Sequence, residues 1–412
     1  MSQTIQETDT RTSVLGEPLT LPCGATIPNR IVKGAMTEQL SDKENRPTDE
    51  LIRLYERWGR GGSGVLLTGN VMVDRRALEG PRNVVVEDDR DMAMLKRWAE
   101  KSQANGSQLW MQISHPGRQI FTGVSKHVVA PSAIKVKGWG PIIAKPREIT
   151  ESEILDVIAR FARTAEVARE AGFSGVQIHS AHGYLNSAFL SPLANLREDD
   201  WGGTPEKRMR FLLENVRATR KAVGADFPIS VKLNSADFQR GGFDEEDSMD
   251  VVRALDAEGV DLLEISGGNY ENPMMMNTRE IYPTQRASTV AREGFFLEYA
   301  QKVRKITAMP LMLTGGLRTV ATMTKIIEDG DVDCVGIARP LAIDPDFSRK
   351  AIDGEIDGAI TPRVNIGFKM VDDLLQSLWY QEQLHLMAKG KNPNPKKSRL
   401  VALVSGLYKL NR

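Results

Sequence analysis

Short apolar segments alternate with longer amphipathic ones along most of this chain, and that alternation limits the folds open to it. The apolar segments are residues 30–36, 65–68, 109–114, 175–179, 229–233, 262–266, 311–314 and 334–338. Runs of this length predict strands buried on both faces, as in parallel sheets. Between them, residues 50–60, 91–105, 151–171, 206–223, 244–258, 295–306 and 320–328 repeat apolar side chains at helical spacing. Thr48 or Asp49 caps the first of these helices, and Thr150 opens a capping-box pattern before the third. Eight strands alternating with helices imply an α/β protein, and a closed (β/α)8 TIM barrel rather than an open doubly wound sheet. The 412 residues exceed the usual size of a single core. Such barrels nevertheless often run past about 250 residues as one domain.

Ahead of the first strand, LGEPLTLPCGATIPNR reads as a hairpin able to plug the barrel bottom. Long connections follow the third strand (residues 116–150) and the sixth (residues 267–288), at the strand ends where barrel active sites are built. The expected organisation is a flexible N-terminus over residues 1–14, the barrel over 15–390, and a basic C-terminal extension over 391–412. Within that tail Leu400, Leu403, Val404 and Leu407 are weakly amphipathic, which suits a surface helix or a dimer contact, so the protein is expected to be a monomer or a homodimer.

Lysine plus arginine equals aspartate plus glutamate, 54 each, so no global charge recruits nucleic acid or an anionic membrane. The first residues, MSQTIQETDTRTSV, hold no apolar leader, and no stretch approaches the roughly 18 apolar residues of a membrane span. A cytoplasmic location is the expectation. Cys23 and Cys334 stand far apart with no CxxC, which argues against a disulfide framework, an iron–sulfur cluster or a zinc ribbon.

The chemistry concentrates in residues 175–203, GVQIHSAHGYLNSAFLSPLANLREDDWGG. An apolar run ends in His179, and His182 and Tyr184 follow within five residues. Buried polar tips need partners, so this cluster predicts a site that grips a polar atom and moves a proton. Taken alone, the two histidines also suit a satisfied core pair, or an H-x-x-H metal site in need of a third ligand. Gly59-Arg-Gly61-Gly-Ser-Gly64 fits G-x-G-x-x-G, yet it follows a helix and precedes a strand, the reverse of the dinucleotide fingerprint. Met274–Met276, in the loop after strand six, suits either a substrate wall or loop packing.

The ordered set H-S-A-H-G-Y-L, F-L-S-P, N-x-R-x-D and W-G-G resembles the Old Yellow Enzyme family of FMN-dependent ene-reductases, in its two-histidine form. G-A-M-T after strand one, Q-I-S-H-P-G-R after strand three, T-G-G-L at strand seven and A-R-P-L-A-I-D-P-D-F at strand eight support the likeness, which spans residues 15 to 390. The resemblance implies bound FMN, NADH or NADPH as hydride source, and reduction of the activated C=C bond of an enone or enal. It makes His179 and His182 the donors to the substrate carbonyl and Tyr184 the proton donor to the α-carbon. Ala35, Met36, Thr37 and Gly69 would flank the flavin, with the Thr37 hydroxyl near O4 and N5. Gln112 would pair with the pyrimidine edge. Lys232 stands where the family usually has arginine near N1 and O2, keeping the charge without the planar fork. Gly315, Gly316, Ala338 and Arg339 would hold the phosphate, with Ala338 replacing a common glycine. Larger relatives with iron–sulfur clusters need more cysteines than this chain has. A metal-dependent hydrolase and a barrel that binds flavin without turnover are the competing readings.

Overall fold

Eight parallel strands pair in a ring in this computed structural model, which describes residues 13–269, 271, 296–362 and 369–398. The strands are β1 (Ile31–Lys33), β2 (Val65–Leu67), β3 (Gln108–Ser114), β4 (Gly175–Ser180), β5 (Ile229–Asn234), β6 (Leu262–Ser266), β7 (Leu311–Thr314) and β8 (Cys334–Ile337). Each pairs with the next in sequence, and Gly336 of β8 returns to Val32 of β1, so the ring of eight closes on itself, while the short strand Val71–Met72 adds to β3 alone. The outer helices are α1 (Asp49–Gly59), α2 (Met92–Gln103), α3 (Glu151–Glu170), α4 (Pro205–Val223), α5 (Glu245–Ala257), α6 (Leu297–Arg304), α7 (Val320–Glu328) and α8 (Lys369–Ala388). Their caps follow the sequence: Thr48 accepts from Leu51 N–H, and Thr150 with Glu153 completes a capping box. The fold is the expected TIM barrel.

Alternation along the strands sorts side chains between two cores. Alternate residues such as Leu109, Met111 and Ile113 of β3 and Val176 and Ile178 of β4 face the helices and join the large outer core. Val32, Val65, Leu67, Trp110, Leu262, Met312 and Cys334 face inward and form a second cluster with Leu21 and Ile27. Those last two come from the N-terminal hairpin, Leu19–Thr20 against Thr26–Ile27, which plugs the floor as expected. Above this floor the inward positions turn polar: Gln112, Gln177, Ser230, Lys232 and Glu264, then His179, Asn234 and Ser266. The polar end is the carboxyl end of the strands, which places the chemistry at the barrel mouth.

Several expectations need adjusting. Val14 belongs to a 3-10 turn, Val14–Gly16, rather than to a loose terminus, and Leu15 is fully buried. Strand one is shorter than 30–36, because after Gly34 N–H bonds Ile337 O the chain leaves the sheet. Residues 391–398 fold back on α8: Trp379 Nε1 donates to Lys397 O at 3.2 Å, and Lys397 pairs with Glu382 at 2.6 Å. The connection 116–150 contains a two-stranded parallel pair, Val129–Ala130 with Arg147–Glu148. Residues 1–12, Met274–Met276, most of the loop 267–288 and the tail beyond residue 398 lie outside the described residues. No helix among the described residues is long and apolar enough to cross a membrane.

One buried carboxylate ties the floor together. Asp261, just before β6, accepts from Cys23 N–H of the hairpin at 2.9 Å and from Ile229 N–H of β5 at 2.8 Å, and pairs with Arg220 of α4 at 2.6 Å. Removing it strands two backbone donors and a guanidinium. Asp261→Ala is expected to cost about 3 kcal/mol in urea unfolding, whereas a cost under about 0.5 kcal/mol would show the plug to be energetically independent of the barrel.

Candidate active site

Strand β4 runs fully buried to Ser180 and delivers His179 into the mouth. Burial first, then the neighbouring His182 and Lys232, hold the His179 imidazole well below its usual pKa, so it is neutral. Its Nδ1 accepts from Ala181 N–H at 3.2 Å, which leaves the ring proton on Nε2. His182 is also held neutral, by burial and then by Lys232, and its Nε2 meets Ser266 Oγ at 3.0 Å. The His182 backbone is left-handed (φ 62°), an uncommon state for a residue with a side chain. It is held there by Asn234 Oδ1, which accepts from His182 N–H at 3.2 Å, and by Gln119 Nε2, which donates to His182 O at 3.2 Å. Gly183 is needed for that clamp: a Cβ there would lie 2.1 Å from Gln119 Nε2.

Tyr184 follows at the N-cap of the short helix Leu185–Leu190. Its ring stands edge-on to His179 at 4.7 Å, and the two histidine rings are 5.1 Å apart. The three expected residues therefore converge. The Tyr184 hydroxyl donates to Glu79 Oε1 at 2.7 Å, and Glu79 also receives Asn70 Nδ2 at 2.7 Å and Thr37 Oγ1 at 3.5 Å. Sequence reasoning found Thr37 and Tyr184 but not the carboxylate between them. Among the described residues no group of three or more His, Cys, Asp or Glu could hold a metal, and His182 meets a serine instead of a third ligand.

Below the histidines a polar chain crosses the barrel. Gln112 Nε2 donates to Gln177 Oε1 at 2.7 Å, and Gln177 Nε2 donates to Ser230 at 3.1 Å and to Glu264 Oε2 at 2.9 Å. Glu264 Oε1 lies 2.9 Å from Lys232 Nζ, both side chains almost completely buried. Lys232 is thus paired with a buried carboxylate, a partner its sequence position did not reveal. Gln177, Glu264 and Ser266 carried a legible signal, being polar at every second position of apolar strands.

The loops after β1 and β2 press together at Gly69, where a Cβ would lie 2.4 Å from Met36 O and 2.3 Å from Glu38 Oε2. Gly69 N–H is already engaged by Glu38 Oε1 at 2.8 Å. Ala35 and Met36 pack in the same turn beside Thr37. Across the mouth, Gly315 and Gly316 leave β7 while Ala338 and Arg339 leave its neighbour β8. Among the described residues no acceptor meets the N–H of Gly315, Gly316 or Ala338, and Arg339 stands beside them. Free backbone donors with an arginine suit a phosphate, and amides with a lysine suit the edge of a flavin ring. The residues present fit FMN. The two long loops also meet at the rim, where Glu271 accepts from Lys137 N–H at 2.6 Å and from Arg118 at 3.3 Å.

The model of the NADH:flavin oxidoreductase / NADH oxidase family matches residues 15–357. The chain belongs to this family. Membership makes it a flavin oxidoreductase, with FMN and a nicotinamide nucleotide as its cofactors. The NADH-dependent flavin oxidoreductase iliE of Hypocrea jecorina is 37% identical over 80% of this chain and 86% of that protein. The protein of that name from Neonectria sp. is also 37% identical, over 80% of this chain, but the match spans only 46% of its length. The NADH oxidase of Thermoanaerobacter brockii is 34% identical over 80% of this chain and 49% of that protein. Solved structures share the fold. 2-Naphthoyl-CoA reductase superposes with a TM-score of 0.78 at 23% identity, over 90% of this chain and 58% of that one. Morphinone reductase superposes with a TM-score of 0.70 at 21% identity, over 86% and 93%.

The buried histidines of this flavin oxidoreductase make its stability pH-dependent. Burial pushes His115, whose Nδ1 accepts from Gly117 N–H at 3.1 Å, down from 6.5 to about 4. A depressed histidine leaves the unfolded chain binding more protons, so stability is full above pH 6.5 and is lost as pH falls toward 4. His115 alone accounts for roughly 3 kcal/mol by the lower limit, and His179 and His182 act in the same direction. Thermal melts across this window should show the loss, and His115→Asn, which keeps an acceptor for Gly117, should make it smaller while the share of His179 and His182 remains. In the barrel, Glu264→Gln leaves Lys232 buried without its counter-charge and is expected to cost roughly 3 kcal/mol in urea unfolding. The Lys232→Met/Glu264→Met pair should lie within about 1 kcal/mol of the parent, and equal losses in both would refute the pairing.

Proposed function

We propose that this oxidoreductase reduces the activated C=C bond of α,β-unsaturated carbonyl compounds with NADH or NADPH in a ping-pong cycle. The observation that carries this reading is the tautomer of His179. Its Nδ1 is occupied by Ala181 N–H, so Nε2 is a proton-bearing, uncharged donor beside His182 and Tyr184. Two neutral donors at one point suit a carbonyl oxygen, whose negative charge grows as the β-carbon is attacked. Neutrality matters here. An imidazolium would attract any anion, whereas a neutral donor is most effective where charge develops during the reaction.

The ring of FMN would lie against Ala35, Met36, Thr37, Gly69, Gln112 and Lys232, with its phosphate on Gly315, Gly316, Ala338 and Arg339. When bound, FMN supplies the redox chemistry, taking hydride from the nicotinamide and passing it to the alkene. His179 and His182 hold the carbonyl so that the alkene lies flat over the mouth. Tyr184, buried and pressed edge-on to His179, delivers the proton to the α-carbon. The apolar floor beneath the polar chain keeps water out of the barrel from below.

Stopped-flow measurement of the two half-reactions tests these roles. Tyr184→Phe should leave flavin reduction by NADH or NADPH intact and slow reoxidation by 2-cyclohexenone by about a hundredfold. His179→Ala should weaken carbonyl-ligand binding and slow reoxidation by roughly a hundredfold. Equal slowing of both half-reactions by Tyr184→Phe would sink the assignment, and a colourless protein that cannot be reconstituted with FMN would overturn the reading as a whole.

A further inference from the structure

We infer that the rim of the barrel carries a second binding site, which holds an anionic group at the far end of an aliphatic chain on the substrate whose carbonyl meets His179 and His182. This rests on the proposed reduction of unsaturated carbonyl compounds and names the kind of substrate the mouth favours. The site is a cavity of about 270 Å3 where the loops after β3, β4, β5 and β6 meet. That is far more room than a single water or a simple ion needs. Half-buried Ile134 and Leu193 give it an apolar wall, and Arg118, Lys137 and Arg240 bring three cations to it.

Glu271 is the one acidic side chain among the described residues of the cavity wall, and both its oxygens are engaged by the loops themselves. Oε1 accepts from Lys137 N–H at 2.6 Å, and Oε2 accepts from Gln239 Nε2 at 3.0 Å and from Arg118 Nη2 at 3.3 Å. Among the described residues no acceptor meets the Lys137 ammonium or the Arg240 guanidinium. Arg118 is different, because its side chain is only 3% exposed and its five N–H donors have left water. It finds two long partners, Glu271 and Ile134 O at 3.4 Å, while its Nε is buried with none. Buried donors are ordinarily satisfied, so the wall is short of acceptors, and acceptors are what an anion brings. Asp237 is close enough to feel both Arg118 and Glu271, yet burial pushes it up to about 6 and its Oδ1 already accepts from Asn234 Nδ2 at 3.0 Å. With Asp237 counted in full, three cations still face two carboxylates. The chain as a whole is electrically balanced, so this excess is local.

Position ties the cavity to the reacting centre. Gln119, next to Arg118, donates to His182 O. Asn269, whose Oδ1 accepts from Glu271 N–H at 2.9 Å, pairs with His182 in an isolated bridge. Arg118 and Glu271 thus each stand within two residues of a group that touches His182, a span of about 7 Å at most. A carbonyl on the histidines and an anion at the rim therefore fit one molecule of modest length. The apolar wall suits its methylenes, and the planar fork of Arg240 suits a carboxylate taken on two N–H groups. An enal or enone with a terminal carboxylate has this pattern.

Paired substrates test the site on the FMN-bound protein. 9-Oxonon-7-enoic acid carries a carboxylate at the far end of an enal, and its methyl ester is the same molecule without the charge. With NADH as donor, kcat/KM should be about tenfold higher for the acid than for the ester, the difference lying in KM. The gap should narrow in concentrated salt, because exposed cations are screened. Lys137→Gln combined with Arg240→Gln should bring the acid down to the level of the ester, and since both side chains are exposed the fold is not at stake. An acid-to-ester ratio near one in the wild type would overturn the inference, as would a preference that survives the double substitution. A preference for NADPH over NADH that the double substitution abolishes with acid and ester alike would assign the cations to the coenzyme phosphate, and would overturn it too. If neither compound reoxidises the flavin, the proposed function itself fails and this site reading fails with it.

Discussion

The mouth of this barrel stands on the buried pair of Lys232 and Glu264, 2.9 Å apart on adjacent strands. Two opposite charges inside a barrel lose their hydration, and good geometry with added hydrogen bonds must offset the loss. Gln177 supplies one such bond to Glu264, and Gln112 extends the chain to the third strand. The network thus fixes four strands at one level, and His179 lies directly in register with Lys232 at that level. The apolar floor ends where this layer begins, so the polar mouth is set by inward positions of the strands and not by the loops alone.

The residues above the network are constrained rather than merely gathered. His182 is held in a left-handed backbone conformation by Asn234 and Gln119, from the fifth strand and the third loop. A conformation that costs on the order of 1 kcal/mol persists because neighbours determine it from both sides. Its effect is to turn the chain sharply enough that His182 and Tyr184 face the same volume as His179. Burial then keeps both imidazoles neutral, and the Ala181 N–H selects the tautomer of the first.

The barrel was legible in the chain because period and length are local properties. Apolar runs such as residues 229–233 and 311–314 match the observed strands to within a residue. The histidines and Tyr184 were legible because they crowd one strand end. Gln177 and Glu264 were half legible, as polar residues alternating with apolar ones, but which of them would touch depends on strand register, which no single segment encodes. Glu79 was not legible. It belongs to an irregular connection without periodicity, and its partners Thr37, Asn70 and Tyr184 come from three different loops. The parallel pair inside the loop 116–150 escaped for a similar reason, since strands of two residues leave no pattern.

The Asp261 staple and the closure of β8 on β1 also bear on the order in which the chain can assemble. Cys23 and Asp261 are 238 residues apart, and Val32 finds its partner Gly336 only near the end of the barrel. Contacts that join such distant segments impose loop-closure entropy before they return any stabilisation, and they form late. During synthesis the plug and first strand emerge first, yet the hairpin has no Asp261 to dock on until the sixth strand exists. The end of the barrel farthest from the chemistry is therefore completed by segments more than two hundred residues apart, and a chain cut short of residue 334 would carry a first strand with one open edge.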